Sequence, residues 1–144
     1  MTRGAPAAVL DLLAQVPLFS DCTRRELSQI ADLGTTVSVA PGATLTTQGR
    51  MGLEFMLVIS GQARCFIDDI EVGTYGPGDY FGELALIDGK PRAATIVSDS
   101  DMELMVLHRG EFNELLDRAP SISRRLLTTL AGYQRSAAPD PLRH

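Results

Sequence analysis

Apolar residues change their spacing twice along this chain. Over residues 8–16 (AVLDLLAQV) they recur at helical intervals, and Pro17 ends the run. Thr23-x-x-Glu26 reads as a capping box that opens a helix through about Leu33, with Leu27 and Ile30 inward and Gly34 as a stop signal. From residue 35 to 107 the period shortens to two. Val37, Val39, Leu45, Phe55, Leu57, Ile59, Ala63, Cys65 and Ile67 fit short strands broken by Pro41-Gly42, Gly49 to Gly52 and Ser60-Gly61. Asp68-Asp69 predicts a tight turn into a strand over 70–75, and Gly76-Pro77-Gly78-Asp79 predicts another turn. A helical interruption is expected at Glu83–Ile87, with strands resuming at Ala94–Val97 and Glu103–Leu107. Helical spacing then returns: Phe112, Leu115 and Leu116 share a face, and Ile122, Leu126, Leu130 and Tyr133 form a stripe after Pro120. Residues 136–144 read as a frayed tail.

Composition narrows the class. A chain of 144 residues with 44% hydrophobic and 22% charged residues predicts one globular domain. Such a length buries roughly two thirds of its unfolded surface. Eight of the thirteen glycines fall between residues 49 and 89, where turns must be dense. Cys22 and Cys65 do not make a disulfide framework and fit a reducing compartment as small apolar fillers. No apolar run is long enough to span a bilayer, and Asp11 and Gln15 interrupt the N-terminal patch, so no signal peptide is expected. The expectation is a cytoplasmic protein with no membrane partner. A net charge of −5 argues against a nucleic-acid partner. Twelve of the thirteen cations are arginine, with Lys90 the exception, which by itself implies no function.

The chemistry concentrates in Tyr80–Thr95 (YFGELALIDGKPRAAT). Gly82 lets backbone approach a neighbour closely, and helix formers follow at once. Free N–H groups at that helix start, Leu84 and Ala85 among them, suit an anion. Gly89-Lys90-Pro91 turns the chain back and can bring Arg92 level with the helix start. An arginine fork with helix-end amides fits a singly charged phosphate. Glu83 beside a phosphate makes sense if it accepts a hydroxyl, as a ribose 2′-OH would supply. Taken alone, a glutamate in a first helical turn more commonly complements the helix dipole, and a single arginine is more commonly solvated. Together they describe a pocket for a sugar phosphate.

The run FGELALI-x-G-x-PRAAT resembles the phosphate-binding cassette of cyclic-nucleotide-binding domains, as in kinase A regulatory subunits and catabolite activator proteins. Pro17-Leu18-Phe19, Gln48-Gly49, the segment 55–61 (FMLVISG) and Gly78-Asp79-x-Phe81-Gly82-Glu83 sit in family order, so the likeness covers about residues 8–135. It implies an α+β, mainly β fold: a jelly-roll-like β-roll, or double-stranded β-helix, over about 35–107. Into it the cassette helix is inserted, and helices flank it at about 8–33 and 109–135. The domain would occupy residues 1–135 and the flexible tail 136–144.

The implied ligand set is Gly82, Glu83, Leu84, Ala85, Arg92, Ala93 and Ala94. Glu83 would take the ribose 2′-OH and Arg92 the exocyclic phosphate oxygens. The amides of Ala85 and Ala93 would bind phosphate, and Gly82 would permit the approach. Relatives favouring cGMP often carry threonine where Ala93 stands, so alanine leans towards cAMP. Tyr133 is the candidate lid over the base. Two departures stand out: many members carry an acidic residue where Arg50 stands and an aspartate where Leu53 stands. Both fall in a hairpin loop, which is expected to lie apart from the phosphate site.

No enzyme is expected. A cupin-like metal site needs several histidines, and this chain has only His108 and His144. Asp68-Asp69 reads as a turn, Arg24-Arg25 as a wet helix face, and His108 and Cys22 as structural. The expected function is a sensor that binds cAMP, with cGMP second, needs no cofactor, and signals through movement of the C-terminal helix to an effector protein or through a homodimer formed by that helix. The alternative is an interaction or dimerisation module of the same fold without nucleotide. A DNA-binding regulator is disfavoured, because only about nine residues follow the last helix.

Overall fold

A computed structural model describes residues 6–83 and 89–135, without the side chains of Leu126 and residues 129–135. Helix α1 (Ala7–Ala14) is followed by a 3-10 turn (Pro17–Phe19) and α2 (Arg24–Leu33). The predicted capping box is present at α2: Glu26 N donates to Thr23 Oγ1, and Thr23 N donates to Glu26 Oε1 at 2.9 Å. Eight strands follow: β1 (Thr35–Val39), β2 (Thr44–Thr46), β3 (Glu54–Ser60), β4 (Ala63–Ile67), β5 (Ile70–Tyr75), β6 (Tyr80–Phe81), β7 (Thr95–Ser98) and β8 (Met102–His108). Helices α3 (Arg109–Arg118) and α4 (Pro120–Arg135) complete the described chain. The expected helix after Glu83 and the tail 136–144 fall largely or wholly outside the described residues.

The strands form two antiparallel four-stranded sheets, ordered β1-β8-β3-β6 and β2-β7-β4-β5. This is the mainly β roll with flanking helices that the cassette resemblance implies. Asp68 and Asp69 both take positive φ, 52° and 66°, in the β4–β5 turn. Short polar side chains tolerate that region better than most.

The central strands β3 and β8 are buried on both faces. Phe55, Leu57, Met105 and Leu107 face a core built with α1, α2, the 3-10 turn, α3 and Ile122. Met56, Val58, Met102, Leu104 and Val106 face the interior of the roll with Cys65, Phe81 and Ile96. Helices, first sheet and second sheet therefore make three layers around two cores. A two-sided strand has no polar face, so the alternation expected over 55–59 is replaced by continuous burial from Phe55 to Val58. The edge strand β1 goes the other way, with Val37 36% exposed.

Aromatic contacts tie the helical layer to the sheet. Phe55 meets Phe19 edge-on at 5.6 Å and Tyr80 at 6.1 Å. At the other end of the chain, Ser121 Oγ donates to Glu26 Oε1 at 3.1 Å and Arg125 Nε to Pro17 O at 2.9 Å, docking the start of α4 against the N-terminal segment. Beneath that contact, burial and then the Glu26 charge push the Cys22 thiol up to about 11. It stays protonated at neutral pH, as a filler should.

Replacing Phe55 with alanine should remove the keystone of the helix-to-sheet core. The expected loss is about 3–5 kcal/mol in urea unfolding. Val37→Ala on the exposed edge should stay within about 0.5 kcal/mol.

Candidate functional site

Strand β6 delivers the site's first residue. It pairs with β3 through Met56 and Phe81, so the chain leaving β6 passes beside Glu54. Gly82 makes that passage with φ +89°. A Cβ there would collide with the Glu54 carbonyl oxygen and come within 2.7 Å of Arg92 Nη1. Only glycine serves at this point, for conformation and for space. Glu83 follows and is buried, 2% exposed.

Arg92 arrives from the opposite direction, on the segment leading into β7. Its backbone is tied to the β2–β3 loop, where Arg92 N donates to Arg50 O at 2.9 Å and Gly49 N donates to Arg92 O at 2.8 Å. Its side chain is 4% exposed. Nη2 donates to the Glu54 carbonyl at 2.8 Å and to Glu54 Oε1 at 3.3 Å. Nη1 is buried with no hydrogen-bond partner among the described residues. Burial pulls the guanidinium's pKa down, and the neighbouring Glu54 charge pushes it back up. An arginine this basic keeps its proton even so.

Gly52 completes the cradle. A Cβ on Gly52 would lie 2.5 Å from Arg92 Nε and 2.9 Å from Nη2. The guanidinium is thus held between two glycines, Gly52 and Gly82, with Glu54 as its counter-charge. The β2–β3 loop that carries Arg50 and Leu53 lies against Arg92, and not apart from it as expected. The reason is the pair of backbone hydrogen bonds that staple this loop to Arg92.

The structure brings Gly82 and Arg92 into direct proximity and buries Glu83, the residue after Gly82. Ala93 is half-buried. Ala94 packs into the roll core, and its carbonyl accepts from Thr46 Oγ1 at 3.0 Å, so any ligand role falls to its N–H. Leu84 and Ala85 lie outside the described residues, as does the side chain of Tyr133, whose backbone belongs to α4. Sequence reading missed Glu54 and Gly52. The departure at Leu53 was the available signal, because the acidic group that touches Arg92 stands one position later. Among the described residues no His, Cys, Asp and Glu cluster could hold a metal ion, and no helix is long and apolar enough to cross a membrane.

A buried cation paired with Glu54 among the described residues, with a donor to spare, is suited to receiving an anion. Residues 36–119 match the sequence model of the cyclic nucleotide-binding domain. This chain belongs to that family. It is 40% identical over 131 residues to a cAMP-dependent protein kinase regulatory subunit of Aspergillus fumigatus, covering 90% of this chain and 30% of that protein. The regulatory domain of Toxoplasma gondii PKA, solved with cAMP, superposes with a TM-score of 0.71 at 31% identity, covering 88% of this chain and 49% of the other. The catabolite activator protein of Thermus thermophilus gives a TM-score of 0.72 at 30% identity, covering 83% of this chain and 58% of the other. The chain thus spans about 30% of the length of the kinase regulatory subunits it matches.

Gly52→Ala should drive the guanidinium off the Glu54 carbonyl and cost roughly 1–3 kcal/mol in denaturant unfolding. In an Arg92→Ala background the same substitution should cost much less, since the three atoms nearest that Cβ all belong to Arg92. Equal costs in both backgrounds would mean that Gly52 serves only the loop.

Proposed function

We propose that this chain is a regulatory sensor domain that reversibly binds a cyclic purine mononucleotide, cAMP in preference to cGMP. The observation that carries the reading is the buried Arg92, whose Nη1 has no hydrogen-bond partner among the described residues and sits against Gly82. The family and the cAMP bound to the Toxoplasma gondii regulatory domain support it.

In this reading Arg92 takes the exocyclic oxygens of the cyclic phosphate. The amides of Ala85 and Ala93 supply further donors, Gly82 allows the close approach, and Leu84 and Ala94 belong to the same wall. Glu83 accepts the ribose 2′-OH, and the Arg92 charge offsets the repulsion between that carboxylate and the phosphate. Ala93 offers no hydroxyl to a guanine, which leans the site towards cAMP. Tyr133 on α4 is the residue assigned to cover the base.

Anchoring the phosphate at Arg92 would draw the cassette inward and let the C-terminal helices close over the base. That response is a population shift, limited by the ligand's differential affinity for the closed state. The domain would act by binding and not by turnover, with no cofactor, and would pass its signal to an effector protein or to a second copy through the C-terminal helix.

Calorimetric titration tests the assignment. The parent should bind cAMP more tightly than cGMP and show no comparable affinity for 5′-AMP. Arg92→Ala should lose about 30-fold to several thousand-fold in cAMP affinity, the range for stripping one partner from a desolvated charge pair. Equal affinity in parent and Arg92→Ala would remove Arg92 from the site. No binding at millimolar cAMP would leave the nucleotide-free interaction module as the reading.

A further inference from the structure

Glu54 stands between Arg92 and His108. Its Oε1 lies 3.3 Å from Arg92 Nη2, and its Oε2 lies 3.8 Å from His108 Nε2. This placement is built into the sheet, because Glu54 of β3 and His108 of β8 are direct cross-strand partners. His108 is also the residue where β8 ends and α3 begins. Its N–H donates to Glu111 Oε1 at 2.8 Å, and its Nδ1 lies 3.3 Å from the same oxygen. Imidazole is the side chain whose charge ordinarily changes between pH 5 and 8. The groups around it are Glu54 from β3, Glu111 from α3, the adjacent Arg109, and Arg92 across Glu54.

Building on the nucleotide reading, we propose that Glu54 is a positioning residue that links the charge of His108 to the availability of Arg92. When His108 is neutral, Arg92 is the full positive charge paired with the Glu54 carboxylate among the described residues, and a phosphate arriving at Nη1 must share the guanidinium's charge with that carboxylate. When His108 is protonated, Glu54 gains a second cation, its hold on Arg92 weakens, and the phosphate meets less competition. The sign follows directly: cyclic-nucleotide affinity rises as pH falls through the His108 titration. Reciprocity then requires that phosphate binding at Arg92, by releasing Glu54, raise the proton affinity of His108 and draw a proton from solution. Because His108 caps α3, the same relay connects the phosphate site to the start of the C-terminal helices.

Two readouts test this separately from the nucleotide reading. The first uses nucleotide-free protein in a His144→Gln background, which leaves one imidazole for NMR titration. The His108 midpoint should rise in Arg92→Gln and fall in Glu54→Gln. A midpoint that Arg92→Gln leaves unmoved would overturn the relay, whatever the chain binds. The second measures cAMP affinity from pH 8 to 5.5, a range in which the ligand phosphodiester does not titrate. The full chain should tighten by about fivefold, as expected for partly exposed ion pairs. His108→Gln and Glu54→Gln should both give flat profiles, with Glu54→Gln binding more tightly than the parent at pH 8. A slope that survives Glu54→Gln would mean that His108 acts on the phosphate directly and would also overturn the relay. A chain whose His108 midpoint shifts as stated but which binds no cAMP at any pH refutes the nucleotide reading and leaves the coupling of Arg92, Glu54 and His108 standing.

Discussion

A guanidinium buried in protein, with Glu54 as its ion-pair partner among the described residues, is an expensive object, and the architecture around Arg92 is organised to hold it. Taking a cation out of water is offset only by good geometry and saturated donors. Glu54 supplies a carbonyl and a carboxylate oxygen to one nitrogen, Gly52 and Gly82 clear the space, and the other nitrogen has no hydrogen-bond partner among the described residues.

That geometry depends on the two central strands. Because β3 and β8 are buried on both faces, their register cannot slip without moving apolar side chains out of both cores at once. Register fixes Glu54 opposite His108 and fixes where β6 releases Gly82. Phe55, the next residue after Glu54, is locked by Phe19 and Tyr80. The counter-charge of the site therefore sits next to one of the most tightly packed residues in the fold. The helical layer and the proposed anion site are adjacent through one short stretch of strand.

Local signals in the sequence were enough to identify much of this. The capping box at Thr23 and Glu26, the Asp68-Asp69 turn and the cassette over residues 80–95 are all short-range patterns, and each names the residues that carry it. The rest was illegible for physical reasons. The two-sided burial of β3 erases the alternation that marks a half-buried strand. Gly52 and Glu54 meet Arg92 only through the fold, with Glu54 38 residues away in the chain. Neither residue has a local motif. Leu53, where an aspartate is common in the family, pointed at the loop without revealing that Glu54 would provide the charge.

A crystal structure of the chain with cAMP tests the central claim most directly. The account predicts the cyclic phosphate within hydrogen-bonding distance of Arg92 Nη1, the ribose 2′-OH on Glu83, and the Arg92 guanidinium still between Gly52 and Gly82. A nucleotide bound elsewhere, or a phosphate that leaves Arg92 Nη1 without a contact, would contradict it.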